Sequence, residues 1–348
     1  MLAFREDDGS DFPSGYTHTT DPGKWRPTLP GFSSAAFPQW GQLESFALPR
    51  NDLFRPQPPP VLSSSAYALE LRWVKEIGGS DSTLRTADES EIANFWADGG
   101  ATENPPGHWL DIAGDVSDQQ SLGMQDRARL FALISLATAD AAIVAWDAKY
   151  VYDLWRPITA IREADTDENA STTSDPTWLP YISTPPFPEY VSGHSTFSRS
   201  ATTVMAAFFG TDEIPFTTGS DALPEVLRSY PGFSAAADEA GVSRIYVGIH
   251  FASGTIAGQS SAFGLGTLVA NNFLAPLSDT EFSLVRHSPD GLQLEVQVTN
   301  GATYRVEASS DMQSWETLTT ITAGSSTISF LDANAPAGKR FYRLVELP

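Results

Sequence analysis

The sequence contains no cysteine, which excludes disulfides, thiolate metal sites and a cysteine nucleophile and removes the usual clue to redox compartment. Positive charge is scarce: Lys and Arg number 21 against 43 Asp and Glu, a formal net charge of −22. The field of such a chain repels nucleic acid and anionic membrane surfaces, so neither is expected as a partner. No apolar run is expected to reach the length that crosses a bilayer, and no transmembrane segment is predicted. The opening Met1-Leu2-Ala3-Phe4-Arg5-Glu6-Asp7-Asp8 has no apolar stretch of signal-peptide type. Against this acidic background any cluster of cations stands out.

The 348 residues, 41% hydrophobic and 11% aromatic, suffice for one large core and a smaller unit. Residues 1–60 carry ten prolines among scattered aromatics. That is too broken for long helices and too apolar for a disordered tail, so an extended segment wrapped over a core is expected. Helical patterning follows over 62–77, then from the capping box Thr86-Ala87-Asp88-Glu89 to Asp98-Gly99-Gly100, and then over 128–152, 195–209, 223–230, 234–246 and 256–271. Asp98 falls at a helix C-terminus, where a carboxylate is misplaced unless a cation meets it. Residues 61–275 are thus expected to be mainly α, a helical bundle.

At Ala275-Pro276-Leu277-Ser278 the texture changes. Strand-like stretches at 292–298, 304–307, 315–319 and 341–345 are separated by turn signals at Asn300-Gly301, Asp311-Met312 and Ala335-Pro336-Ala337-Gly338. They predict a small antiparallel β-sandwich over 282–348, an accessory module without a chemical constellation.

Chemistry concentrates in three places. Phe187-Pro188-Glu189-Tyr190-Val191-Ser192-Gly193-His194 precedes an apolar helical run, so Ser192, Gly193 and His194 are expected at a helix N-terminus, where free N–H groups and the dipole favour an anion. Lys149 and Arg156 are seven apart, two helical turns, and so are expected on nearly one face. Arg244 and His250 converge only if His250 lies at or past a helix end, which Gly248 and Gly254 allow. Each cation alone fits a solvated surface, and a lone histidine fits a structural role. Together they supply charge, a hydroxyl, a backbone donor and two imidazoles, which suits a tetrahedral oxyanion.

The ordered set Lys149…Arg156-Pro157, Ser192-Gly193-His194 and Ser243-Arg244-Ile245-Tyr246-Val247-Gly248-Ile249-His250 resembles the vanadium-dependent haloperoxidases. That family shares its site with the type-2 phosphatidic acid phosphatases and bacterial class A acid phosphatases. Trp146 and the Pro185-Pro186-Phe187-Pro188 flank resemble the haloperoxidase branch, and the resemblance covers roughly residues 60–272. It implies vanadate as cofactor, with His250 its one protein ligand. Lys149, Arg156, Arg244, Ser192 and the Gly193 amide would hold the oxygens, His194 would be the acid–base residue, and Asp98 would steady Arg244. Trp146 and Phe187 would line the halide side, with Phe187 standing as it does in chloroperoxidases. The implied reaction is oxidation of halide by hydrogen peroxide to hypohalous acid, with a small organic acceptor and a homo-oligomer both left open. The chain departs from the pattern with Val191 in place of proline and Gly254 in place of an aspartate four residues after His250, leaving no obvious group to orient His250. Two other readings stay open: an acid phosphatase with His250 as nucleophile, and an inactive anion-binding or surface protein. The stretch 304–315 resembles β-domains that end exported bacterial proteins, so a periplasmic, cell-surface or extracellular location is expected.

Overall fold

The computed structural model describes residues 5–274, 282–288, 290–311, 314–335 and 340–347. The texture change at 275–278, the turn residues Met312 and 336–338, and the opening 1–4 lie outside them. The chain divides into two compact units, Met1–Leu274 and Ala275–Pro348.

In the first unit, α1 (Ser65–Ile77) starts on Ser64, whose side chain accepts from the Tyr67 amide. Next, α2 (Ala87–Phe95) starts on the reciprocal capping box of Thr86 and Glu89. Then α3 (Asn104–Gln119) opens with Pro105 and Pro106 in its first turn and buries Trp109, Ile112, Ala113 and Val116. No helix was expected there, although proline at a helix start followed by apolar residues at helical spacing is a legible signal.

Helix α4 (Met124–Tyr152) is the core helix, and α3, α6 (Gly193–Phe209) and α8 (Ala252–Asn272) pack on it. It corrects the expectation about apolar runs, because by length and composition alone it could cross a membrane. The apolar residues on this helix point all round because other elements cover it. The wrapping segment is pinned to its acidic residues. The buried Asp140 carboxylate accepts the amides of Phe46, Ala47 and Leu48 at 2.7–3.0 Å, and Asp147 takes a two-pronged bond from Arg55 at 2.6 and 2.7 Å.

After α4 come the short α5 (Pro157–Arg162) and a long loop to α6, then α7 (Phe233–Tyr246) and α8. The expected helix over 223–230 is instead a turn leading into strand β2 (Arg228–Tyr230), paired antiparallel with β1 (Phe216–Thr218). Pro224 interrupts the helical pattern, and the pairing of Tyr230 with Phe216 buries both rings. The main core gathers side chains from α2, α3, α4, α6, α7 and α8 around Trp96 and Trp109.

Among its described residues the second unit holds two three-stranded antiparallel sheets. One has β3 (Phe282–Ser288), β4 (Gly291–Gln297) and β7 (Thr327–Asp332); the other has β6 (Glu316–Thr322), β5 (Thr303–Ser309) and β8 (Phe341–Leu347). Val296 and Ile328 of one sheet cluster with Tyr304, Ile321 and Leu344 of the other, the inner layer of a small sandwich. Strands β3 and β7 were not among those expected.

Candidate active site

Ser192 caps α6. Its Oγ accepts from the Ser195 amide at 3.3 Å and the Ser195 hydroxyl at 2.9 Å, leaving its own hydrogen to donate. Gly193 is the first residue of α6, where an N–H has no intrahelical acceptor. His194 follows, half-buried, with Nε2 at 3.3 Å from the Ala97 carbonyl. Burial, then the charge of Arg244, holds its imidazole well below the ordinary pKa, so it is neutral and able to take a proton.

Lys149 lies in the last turn of α4 and Arg156 is the cap residue before α5. Helical periodicity does not bring them together, because α4 stops at Asp153 in the left-handed conformation, φ 54°. The turn there redirects the chain, and both side chains meet the loop before α6. The Lys149 ammonium donates to the carbonyls of Pro188 at 2.9 Å, Glu189 at 3.1 Å and Val191. Three acceptors occupy its three hydrogens, so in this arrangement Lys149 offers charge rather than a free donor. Burial and then the neighbouring Arg156 lower its pKa well below the usual ammonium value.

Arg156 is fully buried. Its Nε donates to the Phe187 carbonyl at 2.7 Å, Nη1 donates to the Ile249 carbonyl at 2.9 Å and faces His250 Nε2 at 3.1 Å, and Nη2 has no partner among the described residues. Arg244, in the last turn of α7, donates to the Trp96 carbonyl at 2.8 Å and leaves its buried Nε without a partner among the described residues. Burial pushes these two guanidinium groups down to about 9 and about 10 respectively. Buried cations with orphaned donors are costly alone and are stabilised by an anion.

His250 sits past the end of α7, in the turn that Gly248 makes at φ 81°, just before α8. Its Nδ1 lies 2.8 Å from Glu189 Oε1. A guanidinium can only donate, so the Arg156 contact requires a lone pair on Nε2, and Nδ1 must carry the hydrogen given to Glu189. Burial, then Arg156, Lys149 and Arg244, hold this imidazole well below its ordinary pKa. His250 is therefore neutral, with its lone pair toward the cations. The expectation that nothing orients His250 is corrected: Glu189, 61 residues away in sequence, does so.

Asp98 is buried, three residues beyond α2 and at φ 38°. Its carboxylate accepts from His108 Nδ1 at 3.1 Å. The hydrogen bond of Arg244 goes to the Trp96 carbonyl instead, so Asp98 reaches Arg244 through its field alone, raising the arginine pKa against burial. His108 Nε2 faces the Gly219 carbonyl at 2.9 Å, so both ring nitrogens of His108 donate. Burial lowers the His108 pKa, but the bond and charge of Asp98, the charge of Glu103 and the carbonyl outweigh it and leave it raised. Asp98, Glu103 and His108 lie close enough together to surround an ion, and both ring nitrogens of His108 are engaged, by Asp98 and by the Gly219 carbonyl.

One wall is aromatic. The Trp146 and Phe187 rings are 4.9 Å apart, and Phe187 is also 4.9 Å from both Lys149 Nζ and Arg156 Cζ, in cation–π range. Trp146 Nε1 donates to the Ala36 carbonyl at 3.2 Å, so the wrapping segment sets the indole. The structure thus brings Lys149, Arg156, Ser192, Gly193, His194, Arg244 and His250 to one place, with Trp146 and Phe187 beside them and Asp98 one layer behind.

Residues 129–278 match the family described as the VCPO second helical-bundle domain. A vanadium chloroperoxidase of Curvularia inaequalis is 26% identical over 211 residues, 53% of this chain and 34% of that protein. The solved structure of a bacterial vanadium-dependent iodoperoxidase is similar at TM-score 0.64 and 34% identity, over 73% of this chain and 61% of that one. A holo-type bacterial vanadium-dependent chloroperoxidase shares the fold at TM-score 0.63 and 18% identity, over 77% of this chain and 69% of that chain. The chain spans about a third of the length of the curated relative it matches.

Proposed function

From the premise that this chain belongs to the vanadium haloperoxidase family, with its helical-bundle fold, we propose that it binds vanadate and oxidises halide with hydrogen peroxide. The observation that carries the reading is the convergence of the orphaned Arg156 Nη2 and Arg244 Nε on a site where the His250 lone pair faces the guanidinium of Arg156. A tetrahedral oxyanion fits that donor set. Vanadate, when bound, supplies Lewis acidity that activates peroxide toward a halide.

The residues divide the work by their chemistry. His250 Nε2 would ligate the metal. Arg156 and Arg244 would give their free N–H groups to its oxygens, with the Ser192 hydroxyl and the Gly193 amide as uncharged donors. Lys149 adds positive charge and gains a donor for the anion only by releasing one of its carbonyls. Neutral His194, on the more open side, accepts a proton from incoming peroxide. The Trp146–Phe187 wall keeps water from the cations and offers a poorly hydrated anion such as a halide an apolar approach.

A neutral buried imidazole facing several cations also suits a phosphohistidine nucleophile, with His194 as general acid, which keeps the phosphatase reading as a second one. One paired assay separates them. Halide oxidation by peroxide that requires added vanadate and disappears in His250→Ala supports the haloperoxidase. Hydrolysis of a phosphate monoester by vanadate-free protein, inhibited by vanadate, would replace it with the phosphatase, and silence in both assays would leave an anion-binding protein.

A further inference from the structure

We propose that Glu189 positions His250, and that residue 254 is glycine because a side chain there would evict the Glu189 carboxylate. This rests on the reading that His250 meets the oxyanion. Glu189 is fully buried, and its Oε1 accepts from both His250 Nδ1 at 2.8 Å and the Phe251 amide at 3.0 Å. Those donors lie at the start of α8, where the helix dipole favours negative charge. The Glu189 backbone is held as well: its amide donates to the Leu154 carbonyl at 2.9 Å and its carbonyl accepts from Lys149 Nζ at 3.1 Å. One residue thus anchors both Lys149 and His250.

Gly254 explains why the carboxylate can sit there. A Cβ at this position would lie 2.3 Å from Glu189 Oε1 and 3.0 Å from both Cδ and Oε2. The backbone does not require glycine, since residue 254 lies in the first turn of α8 without a positive φ, and helix propensity disfavours it. The space requires it. The aspartate that the family resemblance places at 254 and the Glu189 carboxylate would compete for one volume, so the chain delivers the orienting carboxylate from the loop before α6.

The test uses the full chain with Glu189→Ala, Gly254→Ala and the double variant Glu189→Ala/Gly254→Asp. Orthovanadate affinity is measured by equilibrium titration, the His250 ring nitrogens by NMR on vanadate-free protein, and folding by thermal melts. Glu189→Ala is expected to weaken vanadate binding about 10- to 100-fold and to abolish the single protonated state at Nδ1. The double variant is expected to recover both, with the new carboxylate in the vacated space. Gly254→Ala should reproduce the loss with Glu189 still present, and it decides the matter if Glu189→Ala does not fold. Unchanged affinity and an unchanged Nδ1 proton in Glu189→Ala, or a double variant no better than the single, overturns the proposal. A wild-type protein that binds neither vanadate nor phosphate defeats the functional reading instead, and the NMR comparison still judges Glu189.

Discussion

Two buried carboxylate–imidazole pairs flank the cation cluster, and they are in opposite protonation states. In the Glu189–His250 pair the second ring nitrogen meets Arg156 Nη1, a donor, so the imidazole is neutral with a lone pair facing the cluster. In the Asp98–His108 pair the second nitrogen meets the Gly219 carbonyl, an acceptor, so the ring carries both protons. Burial pulls both histidines toward neutrality; the bond and charge of Asp98, with Glu103 and the Gly219 carbonyl, outweigh it at His108, whereas the charges of Arg156, Lys149 and Arg244 add to it at His250. One pair exposes a base or ligand to the site. The other behind it neutralises a carboxylate that would otherwise repel an anion.

The largest expected effect comes from breaking the first pair's far side. Arg156→Ala removes the donor that holds the His250 lone pair and leaves buried Glu189 less compensated. Vanadate or phosphate binding should fall more than 100-fold and stability by about 3 kcal/mol, read by titration and urea unfolding.

The second effect is a pair of opposite pH slopes. His108 has a folded pKa above its unfolded value near 6.5, so its contribution is fully present below that pH and is lost as pH rises through the folded pKa. His108→Gln should therefore cost about 2 kcal/mol at pH 6 and less at high pH. The folded pKa of His250 is depressed, so the unfolded chain takes up a proton that the folded one refuses, and stability falls as pH drops below 6.5. His250→Gln should remove that fall, a slope of about 1.4 kcal/mol per pH unit. Urea unfolding across pH 5–9 reads both, and parallel slopes for the two variants would contradict the contrast.

These contacts also show what the sequence could and could not reveal. Ser192, Gly193 and His194 were legible because a cap and its helix are local, and Arg244 with His250 because a glycine marks where the helix ends. The meeting of Lys149 with Arg156 was inferred from helical spacing, yet the left-handed turn at Asp153 accomplishes it. Glu189 carried no local signal, since its role exists only where the loop before α6 crosses the start of α8. Asp98 was expected beside Arg244 from the family resemblance; it acts on Arg244 through its field, while its hydrogen bond goes to His108 in α3, a helix that was not expected. The strand at Arg228–Tyr230 was hidden because its pairing with Phe216–Thr218 is a tertiary fact.

Smaller effects sharpen the same picture. Burial lowers the Lys149 pKa, so in that window the unfolded chain binds more protons and vanadate-free stability rises with pH, whereas a bound anion favours the charged lysine. The thermal protection given by phosphate or vanadate should thus shrink as pH rises through the depressed Lys149 value, and protection that grows with pH would count against a role for its charge. Smallest is Ser195→Ala, which removes one bond that orients the Ser192 hydroxyl. It should cost about 1 kcal/mol of anion affinity, roughly five-fold in the dissociation constant, without moving either histidine.

The most direct test of the contrast is ring-nitrogen NMR of both histidines in vanadate-free protein between pH 5 and 9. The account predicts that at pH 7 His250 is neutral, with its proton on Nδ1, while His108 is doubly protonated. Two histidines in the same protonation state at pH 7, or His250 titrating near its ordinary 6.5, would contradict it.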